Sequence, residues 1–81
     1  MQQADDPGIE ARIRKDIGSF YSNLAKVSKE KAKEYAKIIE MAKMYASDSE
    51  SYLAKKDFYT SFSCISYAHG LLDSVREMIG D

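Results

Sequence analysis

The run DFYTSFSCISYAHGLLDSVREMI, Asp57 to Ile79, is long, apolar and periodic at helical spacing, and it carries the chain's only His and only Cys. One seam follows Phe58, Phe62, Ile65, Ala68/His69, Leu72, Val75 and Ile79 in steps of three and four. A second follows Cys64, Tyr67, Leu71 and Met78. Two seams make a stripe wider than one neighbouring helix needs, so this segment is predicted to pack against two others.

Working back towards the N-terminus, Lys55 and Lys56 suit the negative end of a preceding helix, and Asp57 suits the cap of the next. A loop this short joins antiparallel neighbours. The preceding helix is expected over residues 29–55, on a stripe of Ala32, Tyr35, Ile38/Ile39, Ala42, Tyr45/Ala46, Ser49 and Tyr52/Leu53. Glu30–Lys33, Glu34–Lys37 and Glu40–Lys43 place acid before base on its solvent side, each pair contributing a few tenths of a kcal/mol. Ser47-Asp48-Ser49-Glu50-Ser51 is its weak point, because Ser and Asp side chains compete for backbone hydrogen bonds. The apolar phase runs unchanged from Tyr45 to Tyr52, which favours one continuous helix.

Before it, Ile9, Ile13, Ile17, Phe20, Leu24 and Val27 trace a single stripe, predicting a helix over 7–26. Asp6-Pro7 is a suitable start, and Ser28 a suitable cap for the helix that follows. Gly18 and Gly70 are costly inside helices and predict close contacts there. Residues 1–6 read as a disordered lead-in to one domain over 7–81. The fold class predicted is all-α, a three-helix up-down-up bundle.

Composition narrows the function classes. The chain has 81 residues, a net charge of −1, four Gly and one Pro. At this size total stability is only about 4–12 kcal/mol, which leaves no room for an unpaired buried charge. The charge balance speaks against nucleic-acid binding as a general role. A single Cys forms no internal disulfide and suits a reducing compartment. The polar, acidic N-terminus is no signal peptide, and no run reaches membrane-spanning length. A cytoplasmic protein is expected.

From Tyr45 to Val75 the sequence YASDSESYLAKKDFYTSFSCISYAHGLLDSV resembles the archaeal family known as domain of unknown function 357. That family's pattern is a Tyr, an Asp, an aromatic-Leu pair, Gly-Asp-Tyr, and Tyr-Ala-x-Gly-x-Leu-Asp. The matching positions are Tyr45, Asp48, Tyr52-Leu53, Asp57, Tyr67-Ala68, Gly70, Leu72 and Asp73. Two positions depart from it. Lys56 stands where the family tends to have Gly, so the helix end there is expected to lack its left-handed cap. Phe58 replaces a Tyr and removes a hydroxyl, weakening any ligand role. The resemblance implies a small archaeal three-helix bundle, similar in architecture to albumin-binding domains, with no established activity.

The chemistry-bearing residues form no recognisable catalytic set. His69 and Asp73 are four apart on one face, so carboxylate and imidazole can meet, either as a local pair at the core's edge or to orient a base. Cys64 lies most of the way round the helix from His69, and one His with one Cys falls short of a metal site. Asp48 and Glu50 point about 200° apart and share no site. Asp48 is better placed to accept a hydrogen bond from Tyr67 or Tyr45, locking the second helix to the third. Lys26, Lys29, Lys31, Lys33, Lys37 and Lys43 are interleaved with Glu and read as a solvated face. The segment before Gly70 has a loose likeness to helical partner domains of nucleotidyltransferases with ribonuclease members, but Phe62, Ser63 and Cys64 occupy the positions where those carry a catalytic Arg.

Ser63, Ser66, Gly70 and Ser74 form a small-residue strip flanked by Tyr59 and Tyr67. It suits packing against the first helix, a dimer or partner interface, or a shallow ligand groove. With six Tyr and three Phe in so short a chain, the favoured reading is a non-enzymatic protein-interaction module. Its partner is an unknown protein or a second copy, and no cofactor or metal is expected. The candidate residues are Tyr45, Asp48, Phe58, Tyr59, Tyr67, His69, Gly70 and Asp73. The alternative is an accessory or ligand-binding domain for nucleotide or RNA chemistry, using Tyr67, His69 and Asp73 beside Gly70.

Overall fold

Stripes at helical spacing give helices wherever they find something to cover. The computed structural model describes residues 7–78. Among them are four helices and no strand: α1 (Pro7–Leu24), α2 (Lys29–Glu34), α3 (Ala36–Ala54) and α4 (Phe58–Met78). The fold is all-α, with three long helices and one short one. The expected lead-in 1–6, the Asp6 cap and the seam position Ile79 lie outside the described residues.

The single helix expected over 29–55 is two helices. It breaks at Tyr35 (φ −112°, ψ 36°), whose N–H still closes onto the Lys31 carbonyl at 2.9 Å. The reason is packing. The sequence of α2, KEKAKE, buries nothing, whereas α3 buries Ile39, Ala42, Ala46, Ser49 and Leu53. Helices this short are marginal without an apolar face to pack, so nothing holds α2 in line with α3. Residues 47–51, the weak point by local propensity, stay helical. There Ser49 turns inward and is fully buried, while Ser47, Asp48, Glu50 and Ser51 face solvent.

The caps follow local chemistry. The Lys31 N–H donates to Ser28 Oγ at 3.1 Å, and the Thr60 N–H to Asp57 Oδ1 at 3.2 Å. At the end of α3 the left-handed cap expected to be missing is present, formed by Lys56 itself at φ 66°. The Asp57 N–H reaches the Tyr52 carbonyl at 2.9 Å and the Lys56 N–H the Leu53 carbonyl at 3.0 Å. This is the double hydrogen bond of a Schellman motif. The tight two-helix connection requires that turn, and Lys56 adopts it without the freedom of a glycine.

All three long helices touch one another, and α3 with α4 forms the most extensive contact. One core cluster unites Phe20 of α1 with Ala42 and Ala46 of α3 and Ile65, Ala68 and Leu72 of α4. A second unites Ile13, Leu53 and Phe58. Burying side chains such as Phe20, Ile65 and Leu72 contributes about 1.5–3 kcal/mol each. The alanines and the buried Ser49 and Ser61 let α3 and α4 approach closely. Of the two seams expected in α4, the first holds from Phe58 to Val75 except at Phe62, which is 39% exposed. The second is only half-covered: Cys64 and Leu71 are partly buried and Tyr67 is exposed.

Candidate interaction surface

Four turns of α4, residues 58–72, contain no Asp, Glu, Lys or Arg. The inward row of this segment is Phe58, Ser61, Ile65, Ala68 and Leu72. The outward positions are therefore aromatic or small: Tyr59 is 74% exposed, Tyr67 53%, and Ser63, Ser66 and Gly70 are exposed with them. A side chain at Gly70 would meet nothing within 4 Å, and the same holds at Gly18. Neither glycine answers to a close contact with another helix. The expectation that Gly70 and its strip pack on α1 is corrected: Ser63, Ser66 and Gly70 face solvent because α1 and α3 together cover the opposite side of α4.

Phe58 is likewise corrected. At 4% exposure it is core, packed with Ile13 and Leu53, and is not available at the tip of the α3–α4 hairpin. Its neighbour Tyr59, about 100° further round the helix, is exposed.

Tyr45 and Tyr67 meet edge to face across the α3–α4 seam, with centroids 4.6 Å apart and planes at 76°. With Ser63 and Cys64 they line a shallow groove of about 310 Å³. Burial first, and then the carboxylates of Asp48 and Asp57, push the Cys64 thiol above its ordinary value. It is held as the protonated, poorly nucleophilic thiol. Asp48 is exposed and makes no hydrogen bond with Tyr45 or Tyr67. The α3–α4 lock assigned to it belongs instead to Ser49 and Ser61. In the sequence Ser49 lies on the apolar stripe of its helix and Ser61 on neither seam expected in α4, and only the packing of the two helices shows that they meet.

His69 and Asp73 do not meet. His69 Nε2 donates to the Asp16 carbonyl of α1 at 2.8 Å; a carbonyl only accepts, so that nitrogen carries a proton. The imidazole also stands edge-on to Phe20, 5.8 Å between centroids at 90°. It clasps α4 to α1. Asp73 turns to Arg76, 4.0 Å away. Both line a cleft of about 410 Å³ with Lys26, Val27, Ser28, Lys31 and Glu77, where the α1–α2 turn faces the end of α4. Tyr67, His69 and Asp73 thus serve three different surroundings.

Among the described residues no group of three or more His, Cys, Asp or Glu is placed to hold a metal ion. No described helix is long and apolar enough to cross a membrane. No curated protein and no solved structure matches the chain. A family model does: the one described as Protein of unknown function (DUF357) matches residues 15–79, a span that includes every candidate residue above. This chain belongs to the DUF357 family.

Proposed function

We propose that this protein is a non-enzymatic interaction module, a three-helix up-down-up bundle that presents the outward face of α4 to a protein partner. The arrangement is supported by the two core clusters. Ile13 with Leu53 and Phe58 marks one level, and Phe20 with Ala46 and Ile65 the next. Moving between those levels, residue numbers rise in α1 and α4 and fall in α3. The observation that carries the functional reading is the uncharged face itself. Tyr59 and Tyr67 are exposed beside Ser63, Ser66 and Gly70 over four turns without a charge. Exposed tyrosines are favoured at interfaces, because the ring is apolar and the hydroxyl remains wet. A cytoplasmic setting is part of the reading, supported by the single unpaired Cys64.

The test is a double variant, Tyr59→Ser with Tyr67→Ser. Capture of partners by the wild-type chain is expected to be lost while helicity stays unchanged, because neither side chain belongs to the core. Capture that is unaffected by the double change overturns the reading.

The accessory role in nucleotide or RNA chemistry keeps one supporting observation, the cleft that gathers Lys26, Lys31 and Arg76. Its test is thermal stabilisation by nucleotides and short RNA. No shift at millimolar ligand removes it.

A further inference from the structure

We infer that the groove between Tyr45 of α3 and Tyr67 of α4 takes an arginine side chain from a basic segment of the protein partner, its guanidinium stacked on Tyr67 and paired with Asp48. The inference rests on the interaction reading above and names the chemistry of the group that enters. The groove is shallow, about 310 Å³, and is lined by the two rings with Ser63 and Cys64. The rings meet edge to face with centroids 4.6 Å apart, and Tyr67 is exposed, so ring surface stays open to solvent. The face of an aromatic ring is negative and attracts a cation.

The charge around the groove has one sign. The positions three and four residues from Tyr45, Ser63, Cys64 and Tyr67 share their helix faces, and the one charged side chain among them is Asp48. Asp48 is exposed, one turn along α3 from Tyr45, and forms no ion pair among the described residues. Lys43, two residues before Tyr45, lies about 200° round the helix and stands 4.0 Å from Glu40. Besides burial, the influences on the Cys64 thiol are two carboxylates, Asp48 and Asp57. The groove therefore draws a cation and repels an anion.

The same face of α3 already shows this chemistry satisfied from within the chain. Two turns beyond Tyr45, Lys55 Nζ stands 5.3 Å from the centre of the Tyr52 ring. Among the described residues no Lys or Arg does this for Tyr45 or Tyr67. Arginine suits the open site better than lysine. Its planar guanidinium lies flat on a ring and still offers N–H groups to a carboxylate at its edge.

The experiment pans a phage-displayed library of random peptides against the immobilised full chain. The binders are synthesised, each with its arginine and with citrulline, which keeps the shape and loses the charge. Arginine is expected at one enriched position, and citrulline there is expected to weaken binding about fivefold. Asp48→Asn and Tyr67→Leu should each weaken the arginine peptide about two- to fivefold and leave the citrulline peptide unchanged. Both side chains are exposed, so circular dichroism should not move. Four results overturn the proposal: no binders, binders of purely apolar or acidic sequence, citrulline as good as arginine, or binding indifferent to both variants. The two readings fail separately. A chain that selects no arginine, and whose capture of a partner needs Tyr59 and Tyr67 but ignores Asp48→Asn, removes the arginine site and leaves the interaction module standing.

Discussion

Ser49 of α3 and Ser61 of α4 hold each other by reciprocal hydrogen bonds: each hydroxyl donates to the other residue's backbone carbonyl at 2.8 Å, with the two Oγ atoms 3.1 Å apart. Both side chains are fully buried. The pair fixes the register of α4 against α3, and with it the direction in which Tyr59, Tyr67 and Gly70 point. Ser61→Ala should cost about 1 kcal/mol, the net worth of a hydrogen bond between neutral groups. Ser49→Ala with Ser61→Ala should cost close to the sum of the single changes, since each hydroxyl donates to a backbone carbonyl that the other substitution leaves in place. Ser61→Val should cost more than Ser61→Ala, about 1–3 kcal/mol, because the added methyls have no room at the close contact. Chemical denaturation of the four variants gives the cycle directly.

Gly70→Ala should raise the stability of the monomer by up to about 1 kcal/mol, the difference in helix propensity. No neighbour stands within 4 Å to object. Gly18→Ala should act similarly. A fall in thermal midpoint for either variant would mean that the space around these positions is occupied in solution.

Lys56→Gly should stabilise the chain by about 0.5–1 kcal/mol, because a left-handed residue at φ 66° is strained for lysine and free for glycine. The change also removes the exposed contact of Lys56 Nζ with Glu10 Oε1 at 3.5 Å, which offsets little of the gain. Urea midpoints at high salt, where that contact is screened, should show the larger difference.

Glu10 carries a pH signature. The hydrogen bond from Arg14 at 2.8 Å is the main cause that holds its carboxyl below the ordinary value of 4.5; desolvation opposes, and the charge of Lys56 assists. A depressed carboxyl stabilises the fold above its unfolded value and loses that contribution as pH falls through the folded one. Glu10→Gln should therefore be less stable than wild type at neutral pH. The two should converge in acid, below the folded value. A difference that persists at low pH would assign the effect to packing.

Much of this architecture was legible in the chain, for a local reason. Ile13 and Phe20, or Ile39, Ala42, Ala46 and Leu53, repeat at helical spacing with no competing phase, so their burial follows from the repeat. Ser28 and Asp57 cap helices because their side-chain oxygens reach backbone N–H groups three residues on. Other features depend on neighbours distant in sequence. Whether Tyr35 continues a helix depends on what α2 has to cover, and it has nothing. Ser61 in and Phe62 half out, like Tyr59 and Gly70 facing solvent, depend on the angle at which α1 and α3 flank α4. A stripe two seams wide can be buried at more than one rotation, and spacing within the chain does not choose among them. The contacts between helices do, through the Ser49–Ser61 pair on one side and the bond from His69 to the Asp16 carbonyl on the other. The sequence alone therefore determined that α4 is a central helix, and the packing of its neighbours decided which of its faces is left for a partner.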